Sequence, residues 1–581
     1  METRSVKNTV IMWAVLLGIL VWVGAKAGMS FTGLNNLSGF QAAFMETIKQ
    51  PFSFAWTEYS GIFLIIVAVA WCILLATFTT YHGKFMAGRE HGSAELGDPV
   101  KIGKKYECGQ PENCAIVSWN VRMNLDCKTH NENLNMLVVG GPGSGKSRFF
   151  VKPNILQGNA NFIITDPSGE LLRDCGGALE KMGYRVLVFN TVDMTNSNRY
   201  NPFRYIRKDT DVMTLIENLM QNTKSGDRGT ADAKFWEDSE RALYQAIIYY
   251  LWYEAPAYEQ NFSFLMYLLD NSSPKEEDEN FISPLDLLFK ALELKDPEHI
   301  AVRQYAIYKT AQAKTAKSIL LSCKVRLSVF NIPAVRDLTS EDELEIERLA
   351  DGKVALFCII PELDKAFNFL VGILYTQITQ ILYPIADQRT EHPRHLRFIM
   401  DEFANIALPS DFSSVLNTAR KRDISLNIII QNFGQLEKLF NKEWEGILES
   451  CSTTVYLGSN GKRTNEYISS MCGKATIDYI TSGKSDTRLN SNKNITGREL
   501  FTPDELRRMK YEDCIVLLGR EKPMKDKKFR LEKHKNYPLI SNRGTAPYQF
   551  RVARGQSLES FINNINLNNY VFASGEAVSE D

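Results

Sequence analysis

Eight consecutive residues near position 140 carry the plainest chemistry in this 581-residue chain. Gly140, Gly141, Pro142, Gly143, Ser144, Gly145, Lys146 and Ser147 satisfy G-x-x-x-x-G-K-[ST] at every fixed position. Glycines let a backbone wrap so that its N–H groups turn toward phosphate oxygens. At these positions Lys146 reaches the outer phosphates and Ser147 offers a hydroxyl to Mg2+, so the reading is ATP with Mg2+. Asp401 and Glu402 end the apolar stretch HLRFIM (395–400). Asp401 fits the metal side of such a site, and Glu402 fits activation of the attacking water. Gln431 closes SLNIII (425–430) and either senses a γ-phosphate or simply caps a strand. Arg420, in the basic triplet 420–422, fits an arginine finger offered to a neighbouring subunit or a solvated helix C-terminus. Asp166 ends another apolar run within FIITDPSGEL (162–171). Spacing alone does not separate a ligand position there from an Asp-Pro-Ser-Gly turn.

The elements that must position these groups are legible nearby. NLNMLVV (133–139) reads as a short strand feeding the glycine loop, and 148–156 as the helix after it, with Pro153 as an irregularity. Helical spacing covers 411–422. Strand–helix alternation over about 133–205 and 353–460 predicts an α/β fold with a parallel, helix-flanked sheet. Between the two halves, 211–223, 235–253, 262–269, 284–294 and 299–330 show helical periodicity, which predicts a mostly helical insertion. The acidic run at 275–280 reads as a solvated loop.

Two apolar runs come first in the chain. VIMWAVLLGILVWVGA (10–25, extendable to 29) and GIFLIIVAVAWCILLATF (61–78) are each long enough, with their flanks, to cross about 30 Å of hydrocarbon. Arg4 and Lys7 precede the first; His82, Lys84, Arg89 and His91 follow the second. The positive-inside rule then puts both termini in the cytoplasm and leaves about 30–58 as a short external loop. Basic and acidic residues number 67 and 68, a balance that argues against a protein coated in nucleic acid but leaves room for a basic surface confined to a pore or loop. Ten cysteines form no CxxC pair, and Cys108, Cys114 and Cys127 lack a fourth ligand at zinc spacing, so reduced thiols are expected. Lys525, Lys527, Lys528, Arg530, Lys533 and Lys535 form a basic cluster that reads as a phosphate contact or a solvated rim. Residues from about 541 are polar and end acidic, which predicts a mobile tail with one short helix around 558–565.

Taken in order, these segments resemble the type IV coupling proteins, the TraG-like and TraD-like ATPases of conjugation and type IV secretion. The resemblance runs from the paired spans to about residue 535. It includes REHGSAELGDP (89–99), the glycine loop, ITDPSGEL (164–171), RYNPF (199–203), FWEDSE (235–240), FIMDEFANI (398–406), IIIQNFGQL (428–436) and FTPDELRRM (501–509). It implies a RecA-like motor with an inserted all-α domain, usually hexameric, that drives a relaxase bound to single-stranded DNA toward a secretion channel at the bacterial inner membrane. Lys146 and Ser147 match the family's P-loop, Asp401 and Glu402 its acidic strand end, Gln431 its third ATPase motif, and Arg420 the place of its trans-acting arginine. Ser168 departs from it, standing where many relatives are expected to carry a lysine. The implied organisation is a membrane domain (1–85, spans about 10–29 and 59–80), a first motor part (86–207), the all-α insertion (208–340), a second motor part (341–540) and the tail (541–581). Delivery of protein effectors and a non-hydrolysing membrane scaffold are the alternatives; FtsK-like translocases share the motor but usually carry more spans and a DNA-reading terminal domain.

Overall fold

A computed structural model describes residues 2–31, 37–81, 89–107, 109–222, 231–272, 282–361, 366–389, 394–406, 408, 412–485, 488–541 and 546–552. The acidic loop at 275–280, the helix expected around 558–565, most of the tail and Cys108 lie outside the described residues. The chain divides into two compact units, one of residues 1–93 with 476–496 and one of the remainder.

In the first unit, helices Glu2–Ser30 and Ser60–Tyr81 carry the two apolar runs, and Leu37–Ile48 forms a third helix between them. The stretches Met12–Ser30 and Ser60–Phe78 are long and apolar enough to cross a membrane. On the second helix Ile62, Ile65, Ile66, Val69 and Ile73 are all exposed. Lys26, which interrupts the first run in sequence, is fully buried. It donates to the carbonyls of Gln50 (2.6 Å) and Ser53, and lies 4.7 Å from the Phe54 ring centre. Those oxygens meet the requirement that a buried ammonium be hydrogen-bonded.

Residues 476–496 were expected in the second motor part and group instead with this unit. They belong to a two-stranded arm, Lys474–Ser485 and Arg488–Glu499. Thr476 accepts the His91 N–H through its hydroxyl and donates its own N–H to the Gly92 carbonyl. The arm's sequence, TIDYITSGKSDTRLNSNKNIT, offers no continuous apolar face to bury in a sheet core.

The second unit is built on a nine-stranded sheet. In chain order its strands are β1 (Met136–Val139), β2 (Asn161–Thr165), β3 (Arg185–Asn190), β4 (Val354–Ile359), β5 (Leu396–Met400), β6 (Ile424–Ile430), β7 (Thr453–Tyr456), β8 (Asp513–Leu518) and β9 (Met524–Lys527). Across the sheet they run β9-β8-β7-β1-β6-β5-β2-β4-β3. All neighbours from β7 to β3 are parallel, while β8 pairs antiparallel with both β7 and β9. Because successive side chains alternate faces, Met136 and Val138 enter one apolar cluster and Leu137 and Val139 the other. Burial on both faces explains why the inner strands read as unbroken apolar runs.

The helical segment runs from Asp209–Asn222 to Pro333–Leu338. It shares one hydrophobic cluster with the sheet, so Leu243, Phe262 and Phe330 sit in the same core as Leu137 and Phe398. The single helix expected over 299–330 is instead Ile300–Lys309 and Ala313–Arg326, followed by a tight turn. The break lets Tyr308 fold back and donate to the Ala316 carbonyl (3.3 Å). Two of the family-like motifs act as joints here. Glu240 of FWEDSE is buried against Arg326 Nε (2.8 Å), and Tyr200 of RYNPF donates to Gln377 Oε1 (2.5 Å) on helix Asn368–Gln388.

Candidate functional site

Parallel strands place their C-terminal ends on one edge of a sheet, where open α/β folds hold ligands. Here β1 runs into Gly140, β6 into Gln431, β5 into Asp401 and β2 into Asp166, on four adjacent strands. The sheet therefore gathers groups that lie nearly 300 residues apart in sequence, from 140 to 431.

The glycine loop is tied at its base by Gly140 N–H to the Ile430 carbonyl (3.1 Å) and Gly141 N–H to the Gly458 carbonyl (2.9 Å). Gly143 (φ +73°) and Gly145 (φ +84°) adopt left-handed backbone that favours glycine. A Cβ on Gly145 would also meet the Phe149 ring at 2.4 Å. After the loop, Ser147–Val151 winds as a wide π-turn before the α-helix Lys152–Leu156. Pro153 has no N–H for the carbonyl four residues back and its ring would crowd it, so the turn widens upstream. The irregularity expected at Pro153 thus sits directly beneath the phosphate loop.

Within the site, Ser147 Oγ donates to Asp401 Oδ2 (3.2 Å). Asp401 is buried, and burial reinforced by the neighbouring Glu402 charge pushes its carboxyl up to about 6, against the opposing pull of Lys146. Lys146 donates to the Gly140 carbonyl (3.0 Å) and lies 3.9 Å from Glu402 Oε1. Gln431 Nε2 donates to both Glu402 oxygens (3.0 Å each), while its backbone N–H is held by Gln435. Glu402 has φ +51°, an uncommon value for a residue with a Cβ, and that backbone turns its carboxylate toward Gln431 and Lys146. The Ser147 hydroxyl and Asp401 carboxylate form an oxygen pair of the kind Mg2+ selects.

A cavity of about 500 Å³ opens over the loop. It is lined by Gly143, Gly145, Lys146, Ser147, Asp401 and Glu402, and by Leu531, Glu532 and Tyr537. Arg148 and Glu532 form an ion pair at its margin. Lys152 is buried between Asp174 (2.6 Å) and Glu170, fastening the loop's helix to the one after β2. Sequence reading missed Lys152, Leu531, Glu532 and Tyr537, since none belongs to a spaced motif; Glu170 lay inside a quoted segment without a role.

Asp166 takes the turn role. Its Oδ2 accepts the Leu172 N–H (2.8 Å) at the start of helix Glu170–Lys181, and burial pushes its carboxyl up to about 6. Ser168 offers no charge; its carbonyl accepts from Arg173. Arg420 is exposed in the tight turn Ala419–Arg422, which follows the helix Phe412–Thr418 and precedes β6. Gln431 follows the same strand. Seven residues of β6 at about 3.3 Å each put Arg420 roughly 20 Å from its own P-loop, at the opposite sheet edge. Arg422 of the triplet is engaged elsewhere, with Asp387 (2.6 Å) and over the Tyr383 ring. The basic cluster also disperses: Lys525 and Lys527 pair with Asp513, Lys535 with Glu112, and Lys528 is buried. A solvated rim is therefore wrong for Lys528. It sits between two rings rather than in water, so packing rather than charge decided its place.

The parallel core, the glycine loop and the acidic strand end define a P-loop α/β protein. The chain belongs to the family described as type IV secretory system conjugative DNA transfer, whose model matches residues 102–546. It is 22% identical over 404 residues to the conjugal transfer protein TraG of Rhizobium radiobacter, covering 67% of this chain and 60% of that protein. It is 20% identical over 446 residues to the type IV secretion system-coupling protein VirD4 of Bartonella henselae, covering 74% of this chain and 66% of that one. The chain thus spans about 60–66% of the length of these relatives. In fold it resembles the bacterial conjugative coupling protein TrwBdeltaN70 in its trigonal form with sulphate (TM-score 0.56, 18% identity, 80% of this chain and 97% of that chain). A TrwB structure with ADP and Mg2+ aligns with a TM-score of 0.53 at 18% identity, over 78% of this chain and 96% of that one.

Proposed function

We propose that this chain is a membrane-anchored, ATP-hydrolysing coupling protein that recruits a relaxase–single-stranded DNA complex and drives it to a type IV secretion channel. The observation that carries the reading is the convergence of Ser147, Asp401, Glu402 and Gln431 on one face of the P-loop, with Lys146 between them. Family membership supports the conjugative setting.

In this reading the cavity takes ATP with its phosphates against the loop amides and Lys146. Ser147 and Asp401 hold Mg2+, which supplies charge neutralisation at the phosphates. Glu402, oriented by Gln431, is the general base toward the attacking water; Asp401, buried and tied to Ser147, stays on the metal side. Division of labour between adjacent carboxylates follows from their different surroundings. Arg420 lies too far to serve its own site, which supports a role in a neighbour's, within a homo-hexameric ring. The helices over 12–30 and 60–78 anchor the chain in the bacterial inner membrane with both termini cytoplasmic. The five-part organisation (1–85, 86–207, 208–340, 341–540, 541–581) belongs to this proposal, with the arm at 476–496 set apart from the motor.

The test is ATP turnover by the purified full chain with and without single-stranded DNA, alongside conjugative transfer. Turnover stimulated by single-stranded DNA, with Lys146→Ala abolishing both turnover and transfer, is expected. Turnover insensitive to DNA but raised by a secreted protein would instead identify an effector-delivering ATPase. Normal transfer by the Lys146→Ala variant would leave only a docking scaffold.

A further inference from the structure

Lys528 follows β9 and belongs to no spaced motif, yet it reaches the phosphate loop. Its Nζ donates to the Ser144 carbonyl (3.0 Å), and it does not line the cavity that Gly145 lines. The ammonium lies 5.3 Å from the Phe149 ring centre and 4.7 Å from that of Tyr511, so two aromatic faces replace the water it has lost. The residue is only 3% exposed.

A trans peptide is planar, with its C=O and N–H pointing in opposite directions. Fixing the Ser144 carbonyl on Lys528 therefore fixes the Gly145 N–H to point the other way, toward the cavity. Among the described residues none accepts that N–H or the N–H of Lys146. The restraint matters at this place because Gly145 has no Cβ, and a glycine at φ +84° passes easily to other backbone states in which the peptide turns over.

We propose that Lys528 is a positioning residue for nucleotide phosphate: it locks the Ser144–Gly145 peptide plane with the N–H facing the phosphates and holds a fixed positive charge behind the loop. This rests on the nucleotide-binding reading of the site. Burial pushes the Lys528 ammonium down to about 8, against weaker upward pulls from Cys514, Glu512 and Asp513, so the cation remains the larger form at neutral pH.

The experiment measures ADP affinity and ATPase KM and kcat on the full chain in detergent or nanodiscs. Lys528→Met removes donor and charge and is expected to weaken ADP about tenfold and raise the KM for ATP with kcat largely kept, the size of one charge-assisted hydrogen bond. Lys528→Arg keeps both properties and recovers most of the affinity. Lys525→Met, whose lysine pairs with Asp513 instead, leaves affinity unchanged. If Lys528→Met does not fold, Tyr511→Leu decides: Tyr511 is 51% exposed, so the change removes one ring from the ammonium without opening a core cavity, and weaker ADP binding is expected. Wild-type ADP affinity in Lys528→Met, or in Tyr511→Leu where that variant decides, overturns the proposal, as does a folded Lys528→Arg no better than Lys528→Met. A wild-type chain that binds no ADP at all overturns the nucleotide reading itself, a distinguishable failure.

Discussion

Replacing Asp401 with asparagine perturbs the most buried acid of the site while conserving its shape. Burial and the adjacent Glu402 raise the Asp401 carboxyl from 3.8 to about 6 in the folded chain. A group whose folded pKa lies above its unfolded value adds stability fully below the unfolded pKa and loses it as pH rises through the folded one. Two units correspond to about 3 kcal/mol, the cost at pH 8 of keeping Asp401 ionised without a cation. Asp401→Asn removes that cost, so the nucleotide-free variant should melt about 2–3 °C above the wild type at pH 8. Its advantage should shrink by about 1.5 kcal/mol on going from pH 8 to pH 5, where the wild-type carboxyl is mostly protonated. Asp166, also raised to about 6, titrates in the same window and its charge adds to the Asp401 shift, so the pH dependence is read from the difference between the two proteins. The assay is scanning calorimetry of the nucleotide-free chain across that range, with MgADP added in a second series. MgADP should stabilise the wild type by mass action and the variant much less, and the variant should lose ATP turnover. An Asn variant less stable than the wild type at pH 8, or a difference that does not change between pH 5 and pH 8, would refute the reasoning.

Three further perturbations probe the geometry. Gly145→Ala places a Cβ at φ +84° and within 2.4 Å of the Phe149 ring, so nucleotide affinity should fall below detection by equilibrium binding while the membrane fraction is unchanged. Gln431→Ala frees Glu402 from two 3.0 Å hydrogen bonds; steady-state kinetics should show kcat down about 10²-fold with KM little changed, and loss of binding instead would assign Gln431 to the nucleotide. Arg420→Ala should be inactive as a homo-oligomer, and mixing it with Lys146→Ala subunits should restore part of the turnover, because each variant lacks a different half of a shared site. Absence of rescue would remove the trans role.

How much was legible in the sequence differs by element. The P-loop and the strands around it were plain, since a strand buried on both faces must be apolar throughout and a phosphate loop must be glycine-rich. Asp401, Glu402 and Gln431 were legible as candidates because strand ends are marked by the change from apolar to polar. Their partnership, Ser147 to Asp401 and Gln431 to Glu402, was not visible, because strand order is fixed by long-range pairing and not by chain order. The single helix expected over 299–330 failed for a similar reason: the break at 310–312 carries no glycine or proline, and only packing of Tyr308 against the next helix reveals it.

The P-loop at 140–147, the acidic strand end, Gln431 and the two apolar runs were determined by the sequence by itself, because each is a local pattern that backbone geometry or bilayer thickness demands. Tertiary structure alone decided that Lys528 meets the phosphate loop, where Lys152 is held, which residues wall the cavity at 531–537, and that residues 476–496 group with the first unit. These are matters of burial between segments hundreds of residues apart. A lysine among lysines looks solvated until two aromatic rings and a backbone carbonyl close around it.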